Sequence, residues 1–304
     1  MSQKSQLTAS LHRASSHLGG AHLTHQSREY TFTHFVDKMA EAGITHLRNV
    51  ADIAGKQLRL YVALRQDDGV SVRTLQNEMS HLRAALRDAG RSTVADAPEL
   101  NNAALGIAGG SRIGTKQAIT DEEFQVIKGK AVELSRDGIA QAINLQRIFG
   151  LRSNEAIHAR SDTLARWERE VSTGGSMLVT EGTKGGRDRA IHIFDREAAL
   201  CAIREALVIA NRQGGFLIQR ADGDSPGNLA NARGIYAAWA ERNNLETHSL
   251  RYAFAQNQYL AYRATGFSNR ETLALLCKDL GHGDGRGRWV KSVYLRGMPE
   301  SAFL

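Results

Sequence analysis

Proline is nearly absent, with 3 residues in a chain of 304 that carries 29 glycines. Proline ends or kinks helices, so its scarcity leaves room for a largely helical chain whose turns are punctuated by glycine. Cysteine is scarce too. Cys201 and Cys277 lie in apolar periodic stretches with no CxxC or Cys/His spacing, which excludes a disulfide framework and a zinc site and points to a reducing cytoplasm. No apolar run approaches the roughly 18 residues of a membrane span. The first 20 residues are polar and rich in Ser and His, without the apolar core of a secretory signal. Three familiar enzyme signatures are missing: the GxxxxGK(S/T) phosphate loop, HExxH and GxSxG.

What is there suits a folded protein. Apolar residues make up 42% and charged ones 23%, an ordinary mixture for a chain that buries a core, and the length suggests about two domains. Net charge is +7 with a pI near 9.6, which fits a polyanion partner, although charge alone also serves solubility. Residues 1–92 hold 12 basic and 8 acidic side chains and seven of the 11 histidines, and a basic excess continues over 119–304. Charge spread over two segments is what a protein surrounding its ligand needs.

The pattern divides the chain into four parts. Residues 1–29 lack periodicity and read as a flexible arm. Residues 30–92 form a helical module: Phe32, Phe35, Val36 and Met39 make one stripe, Val50, Ile53, Leu58, Tyr61 and Val62 a second, and Leu75, Met79, Leu82 and Leu86 a third. Ser71 caps that last helix and Gly90 stops it. Its polar faces carry Arg59, Arg65, Arg73, Arg83 and Arg87, a pattern that a merely solvated surface also shows. Residues 93–118, with a proline, a Gly-Gly pair and many small residues, read as a linker. Residues 119–304 open on a Thr120/Glu123 capping box. They continue as helices interrupted by one short β-hairpin, with strands near 177–179 and 189–194 around the turn Thr183-Lys184-Gly185-Gly186. The expectation is a mainly α protein with one small β-hairpin. No internal repeat is apparent.

Candidate chemistry is scattered. Arg152 follows a glycine turn at a helix start, where an anion is favoured, and Glu155 lies three residues on, placed to orient it. Lys184 sits at the hairpin tip. His248 and Arg251 share one helix face at i and i+3, a spacing suited to one phosphoryl group. His282 follows Gly281 at a helix end, and Tyr294 comes 12 residues later. Singly, each also fits a structural role.

Their order is far more specific. An arginine, a hairpin lysine, His-x-x-Arg, Gly-His and a near-terminal tyrosine resemble the tyrosine recombinase (phage integrase) family. The strings GLRSNEA (150–156), HSLRYAFA (248–255) and LGH (280–282) carry the match, which covers 119–304. The first module resembles the family's core-binding domain in size, position and basic character.

The resemblance implies a helical core DNA-binding domain, an α-rich catalytic domain, and a site-specific recombinase of integrase or excisionase type. Tyr294 is then the nucleophile that forms a 3′-phosphotyrosyl link, which conserves the energy of the broken bond, so that no cofactor, neither ATP nor metal, is needed. Arg152 and Arg251 grip the nonbridging oxygens, Lys184 protonates the leaving 5′-oxygen, and His248 takes the tyrosine proton or bonds the phosphate. His282 bonds the phosphate, and Glu155 supports Arg152 from behind. Arg187, Arg189, Arg73 and Arg83 are DNA-binding candidates, with Arg189 alternatively a strand-edge charge. Tyr252, Tyr259 and Tyr262 read as core or DNA-backbone packing, and Trp289 as packing. The partners implied are double-stranded DNA, a homotetramer on it and accessory DNA-bending proteins, with no membrane and a nucleoid-associated place in the cytoplasm. The segment GDGRGRWVKSVY (283–294) is longer than the family's usual stretch and reads as a flexible loop that positions Tyr294 late. The ten residues after Tyr294 imply that any C-terminal exchange between protomers is small or uses Phe303 and Leu304. Two rivals stand beside this reading: a type IB topoisomerase, which shares the chemistry, and a DNA-binding regulator on a retired scaffold.

Overall fold

Helices form wherever apolar residues recur every three or four positions, and two separate sets of them exist. The computed structural model describes residues 3–110, 116–218, 229–283 and 285–303, in two units, Met1–Ser111 and Arg112–Leu304.

The first unit contains α1 (Gln3–His17), α2 (His22–Glu41), α3 (Gly55–Asp67), α4 (Val72–Asp88) and the single turn α5 (Ser92–Ala95). The three stripes read from the sequence meet in one core, which includes Phe32, Phe35, Leu58, Tyr61, Leu75 and Leu82. Ser71 caps α4 by accepting the Thr74 N–H at 3.2 Å. The flexible arm expected over 1–29 is instead α1 and the start of α2. Leu7, Leu11 and Ala14, at i, i+4 and i+7, are buried in the core, and the surrounding Ser, Thr and His disguise that stripe. Much of the expected linker is core as well: Leu100, Leu105 and Ile107 are buried, and Pro98 opens a 3₁₀ turn rather than a spacer. Arg83 fixes this segment by donating to Leu100 O at 2.6 Å and Asn102 Oδ1 at 2.9 Å. Arg65 is also taken inward, paired with the buried Glu78 at 2.7 Å. Residues 111–115 of that linker lie outside the described residues.

The second unit begins with α6 (Asp121–Glu133), whose capping box forms as read: the Glu123 N–H meets Thr120 Oγ1 at 3.1 Å and Glu123 Oε2 accepts the Thr120 N–H at 2.9 Å. It continues through α7 (Asp137–Phe149), α8 (Ser153–Ile157) and α9 (Ser161–Thr173) to the hairpin of β1 (Ser176–Val179) and β2 (Arg189–His192). The strands are antiparallel, with Ser176 opposite His192 and Val179 opposite Arg189. There follow α10 (Arg196–Arg212), α11 (Leu229–Arg242), α12 (Thr247–Ala264), α13 (Asn269–Asp279) and α14 (Gly287–Tyr294). Ile143, Phe149, Trp167, Met177, Ile203, Tyr236 and Leu276 belong to its core. No helix among the described residues is long and apolar enough to cross a membrane.

Two expectations for the C-terminal stretch change. The loop expected before Tyr294 is largely α14, because Val290, Val293 and Tyr294 fall at i, i+3 and i+4 and are buried; Asp284 lies outside the described residues. The tail after it turns back onto its own chain. Tyr259 Oη donates to Ala302 O at 3.3 Å, the Tyr259 and Phe303 rings lie 5.4 Å apart, and the Lys291 ammonium stands 3.8 Å over the Phe303 ring. Phe303 is thus engaged within the chain, and Leu304 lies outside the described residues.

Candidate active site

Two helix ends supply the floor of the site. Gly150 ends α7 in the left-handed conformation at φ +57°, and a Cβ there would stand 2.2 Å from the Phe254 ring, so only glycine fits. Leu280 ends α13, followed by Gly281 at φ +63°. The last carbonyls of a helix lack intrahelical donors and carry the negative end of its dipole. Here guanidinium groups satisfy them. Arg251, in the first turns of α12 and 0% exposed, donates to both Gly150 O and Leu280 O. Arg152, which precedes α8, donates to Leu280 O at 3.3 Å and to Glu155 Oε1 at 2.6 Å. Glu155 Oε2 also accepts the Arg152 N–H at 2.7 Å, so the carboxylate holds both the backbone and the side chain of that arginine.

Tyr294 closes over these cations. It is 3% exposed; its oxygen accepts from Arg251 Nε at 3.5 Å and lies 3.3 Å from His282 Nε2. The His248 ring centroid is 6.1 Å from that of Tyr294. Trp289 packs edge-on against His282 at 4.7 Å, and Tyr252 lies 4.8 Å from Tyr294, packing roles as the sequence suggests. Arg152, His248, Arg251, His282 and Tyr294, drawn from four segments of the chain, are therefore brought together. Lys184 is not brought to them: it is exposed at the turn between the strands and makes no hydrogen bond or ion pair among the described residues. Its loop is anchored beside Arg152, however, by Asn154 Nδ2 donating to Gly182 O at 2.8 Å.

The electrostatics follow from burial among cations. Burial, then Arg251, Lys116 and Arg152, push His248 down to about 4; burial, then Arg251, Arg152 and Arg286, push His282 down to about 3. Both rings are neutral at neutral pH, each with one N–H to donate and one ring nitrogen to accept, and they become stronger bases only when a phosphate's negative charge offsets the arginines. Burial and then Arg189 lower Arg251 to about 10, which leaves it charged. Burial alone would raise the Glu155 carboxyl, but Arg189, Arg251 and the Arg152 N–H overcome it and hold it below the usual value. Fixed donors around a phenolic oxygen, with neutral imidazoles alongside, can stabilise a developing phosphorane and move a proton. Among the described residues no cluster of His, Cys, Asp or Glu is arranged to hold a metal ion.

The DNA-binding candidates separate. Arg187 and Arg73 are exposed, Arg73 donating to Gln76 Oε1 at 3.4 Å. Arg83 is half-buried and occupied by the Leu100 carbonyl and the Asn102 side chain. Arg189 is neither a phosphate contact on the surface nor a strand-edge charge. It is 4% exposed and paired with Glu155 at 2.6 Å, because the alternation of β2 puts positions 189 and 191 on the inner face. That period-2 signal was present in the sequence; the buried carboxylate opposite it was not.

The sequence model described as Integrase matches residues 106–257, and that described as Phage integrase, N-terminal, matches residues 4–95. The chain belongs to the tyrosine recombinase family. Site-specific DNA recombination is the activity of this family. Solved structures show the same fold as this recombinase. The Tn1549 transposon integrase in complex with transposon right end DNA gives a TM-score of 0.61 at 15% identity, covering 96% of this chain and 95% of that one. A lambda integrase tetramer bound to a Holliday junction gives 0.56 at 16%, covering 92% and 75%. XerH bound to its difH substrate gives 0.54 at 17%, covering 88% and 75%. No curated protein matches the recombinase by sequence search.

Proposed function

We propose that this recombinase cuts and rejoins duplex DNA through Tyr294, working as a homotetramer in the manner of a mobile-element integrase. The observation that carries the reading is the placement of the Tyr294 oxygen within reach of both Arg251 and His282. The phenolic oxygen attacks the scissile phosphorus, an O–P bond forms, and the P–O5′ bond breaks. Neutral His248 takes the phenolic proton, and Lys184 gives a proton to the departing 5′-oxygen once DNA draws its loop over the site. Arg152 and Arg251 hold the nonbridging oxygens as charge builds on them. The 3′-phosphotyrosyl bond is then opened by a different 5′-hydroxyl in the reverse reaction, so strands exchange without an outside energy source. Supporting the assembly, the lambda integrase neighbour is described as a tetramer on a Holliday junction.

Covalent capture tests this. The full chain is incubated with duplexes nicked just beyond randomised candidate scissile sites, and protein–DNA adducts are isolated. The wild type is expected to form an adduct and Tyr294→Phe none. Arg152→Ala and Arg251→Ala are expected to keep binding the captured duplex while cleaving about 10²–10³-fold more slowly. Binding by the wild type without any adduct would make the chain a DNA-binding regulator instead.

A further inference from the structure

We propose that Arg189 is a positioning residue for catalysis: it locks the two arginines that receive the phosphate to the ends of α7 and α13. The proposal rests on the reading of Arg152 and Arg251 given above. Three observations carry it. First, Arg189 shares every anchor of those residues or sits next to it. Its Nη2 donates to Glu155 Oε2 at 2.6 Å, while the other carboxylate oxygen holds Arg152. The same Nη2 reaches Gly150 O at 3.4 Å, the carbonyl that also takes Arg251. Its Nη1 donates at 2.5 Å to Asp279 O, one residue before the carbonyl shared by Arg152 and Arg251. One planar fork thereby spans two helix ends and a carboxylate, a task that a lysine with a single ammonium cannot perform.

Second, the surroundings are shaped to this side chain. A Cβ at Gly281 would stand 2.7 Å from Arg189 Cδ, so the residue preceding His282 must be glycine for Arg189 to lie where it does. The end of α13 is fixed from the far side too: the Asp279 carboxylate accepts from Gln258 Nε2 at 2.7 Å, Tyr262 Oη at 2.8 Å and the His192 N–H at 3.2 Å.

Third, the arrangement is a poor way to gain stability alone. Arg189 Nε is buried with no hydrogen-bond partner among the described residues, and a buried ion pair is commonly no better for stability than an apolar packing of the same volume. A role in holding two like charges side by side accounts for it. Arg152 and Arg251 repel each other; the carboxylate and carbonyl dipoles that offset this keep their places through Arg189.

The test uses the wild-type chain, Arg189→Lys, which keeps a cation opposite Glu155, and Arg189→Met. Each is mixed with the nicked duplex captured by the wild type, and with the same duplex carrying a methylphosphonate at the scissile position, which removes the negative charge that the arginines meet. Arg189→Lys is expected to bind DNA within about twofold of wild type and to melt within a few degrees of it, yet to form adduct about 10–100-fold more slowly. On the methylphosphonate that deficit is expected to shrink at least several-fold, since misplaced arginines matter less without the charge. Arg189→Met is expected to show the same substrate-dependent narrowing with a larger loss. Wild-type cleavage by Arg189→Lys, or an equal deficit on both substrates that tracks melting temperature, would overturn the positioning role while leaving Tyr294 chemistry intact. A wild-type chain that forms no Tyr294-dependent adduct overturns the underlying reading, and this role with it.

Discussion

His248 and His282 are both buried beside Arg251 and Arg152, and that crowding gives them a measurable signature without DNA. In the unfolded chain each imidazole protonates near its ordinary value of about 6.5. In the folded chain protonation is postponed to about 4 for His248 and about 3 for His282. As pH falls below 6.5 the unfolded state therefore takes up protons that the folded state refuses, and stability falls with it. The contribution is complete above that value and is lost progressively on the acid side. At pH 5.5 each histidine is expected to cost about 1 kcal/mol, after allowance for its partial exposure. Together they lower the melting temperature of the second unit by about 4–8 °C relative to pH 7.5. His158 is shifted in the same direction by burial and Arg233, so a smaller residual slope belongs to it. Calorimetry of the full chain at the two pH values checks this, with the double variant His248→Gln/His282→Gln as comparison. A double variant that keeps the whole drop would show that other groups titrate.

At the scale of elements, α1 is where local pattern and tertiary packing part company. Leu7, Leu11 and Ala14 form a stripe too narrow to stand out among Ser15, Ser16 and His17, yet the helix completes the core against α2 and α4. Leu11→Ala is expected to destabilise the first unit by about 2–4 kcal/mol. Leu23→Ala, at an exposed position of α2, should stay within about 0.5 kcal/mol. Urea melts of the two variants decide between a core helix and a mobile arm. The strong stripes of α2, α3 and α4 and the Thr120 capping box were readable because each is set by residues within one or two turns. So was the set Arg152, His248, Arg251, His282 and Tyr294, whose residue types and order carry the resemblance to the family. What stayed hidden depends on residues far apart in sequence. Arg189 needs Glu155, Gly150 and Asp279 before its burial makes sense, and α14 needs the core that receives Val290 and Val293. Residues 93–110 carry turn-forming composition, but Leu100, Leu105 and Ile107 bind them to the first unit.

Over the whole molecule, basic charge in excess on both sides of residues 93–118 gives a quantity that no single contact determines. Each phosphate neutralised by Lys or Arg releases condensed counterions, so duplex affinity falls steeply with salt, by about 0.9 in the log–log slope per contact. Six or more such contacts are expected if both units meet the duplex, which means at least about a 10³-fold loss of affinity between 50 and 200 mM salt. Exposed arginines are the ones expected to contribute. Arg73→Ala and Arg187→Ala are each expected to lower the slope by about one and to weaken binding to all sequences alike. Arg83→Ala should leave the slope unchanged and lower stability instead, because its guanidinium is committed to Leu100 O and Asn102. Fluorescence anisotropy of the full chain on a labelled duplex, titrated over that salt range, separates these outcomes. An unchanged slope for Arg73→Ala and Arg187→Ala would place the phosphate-facing surface elsewhere, while a lowered slope for Arg83→Ala would mean that DNA binding rearranges the segment it holds.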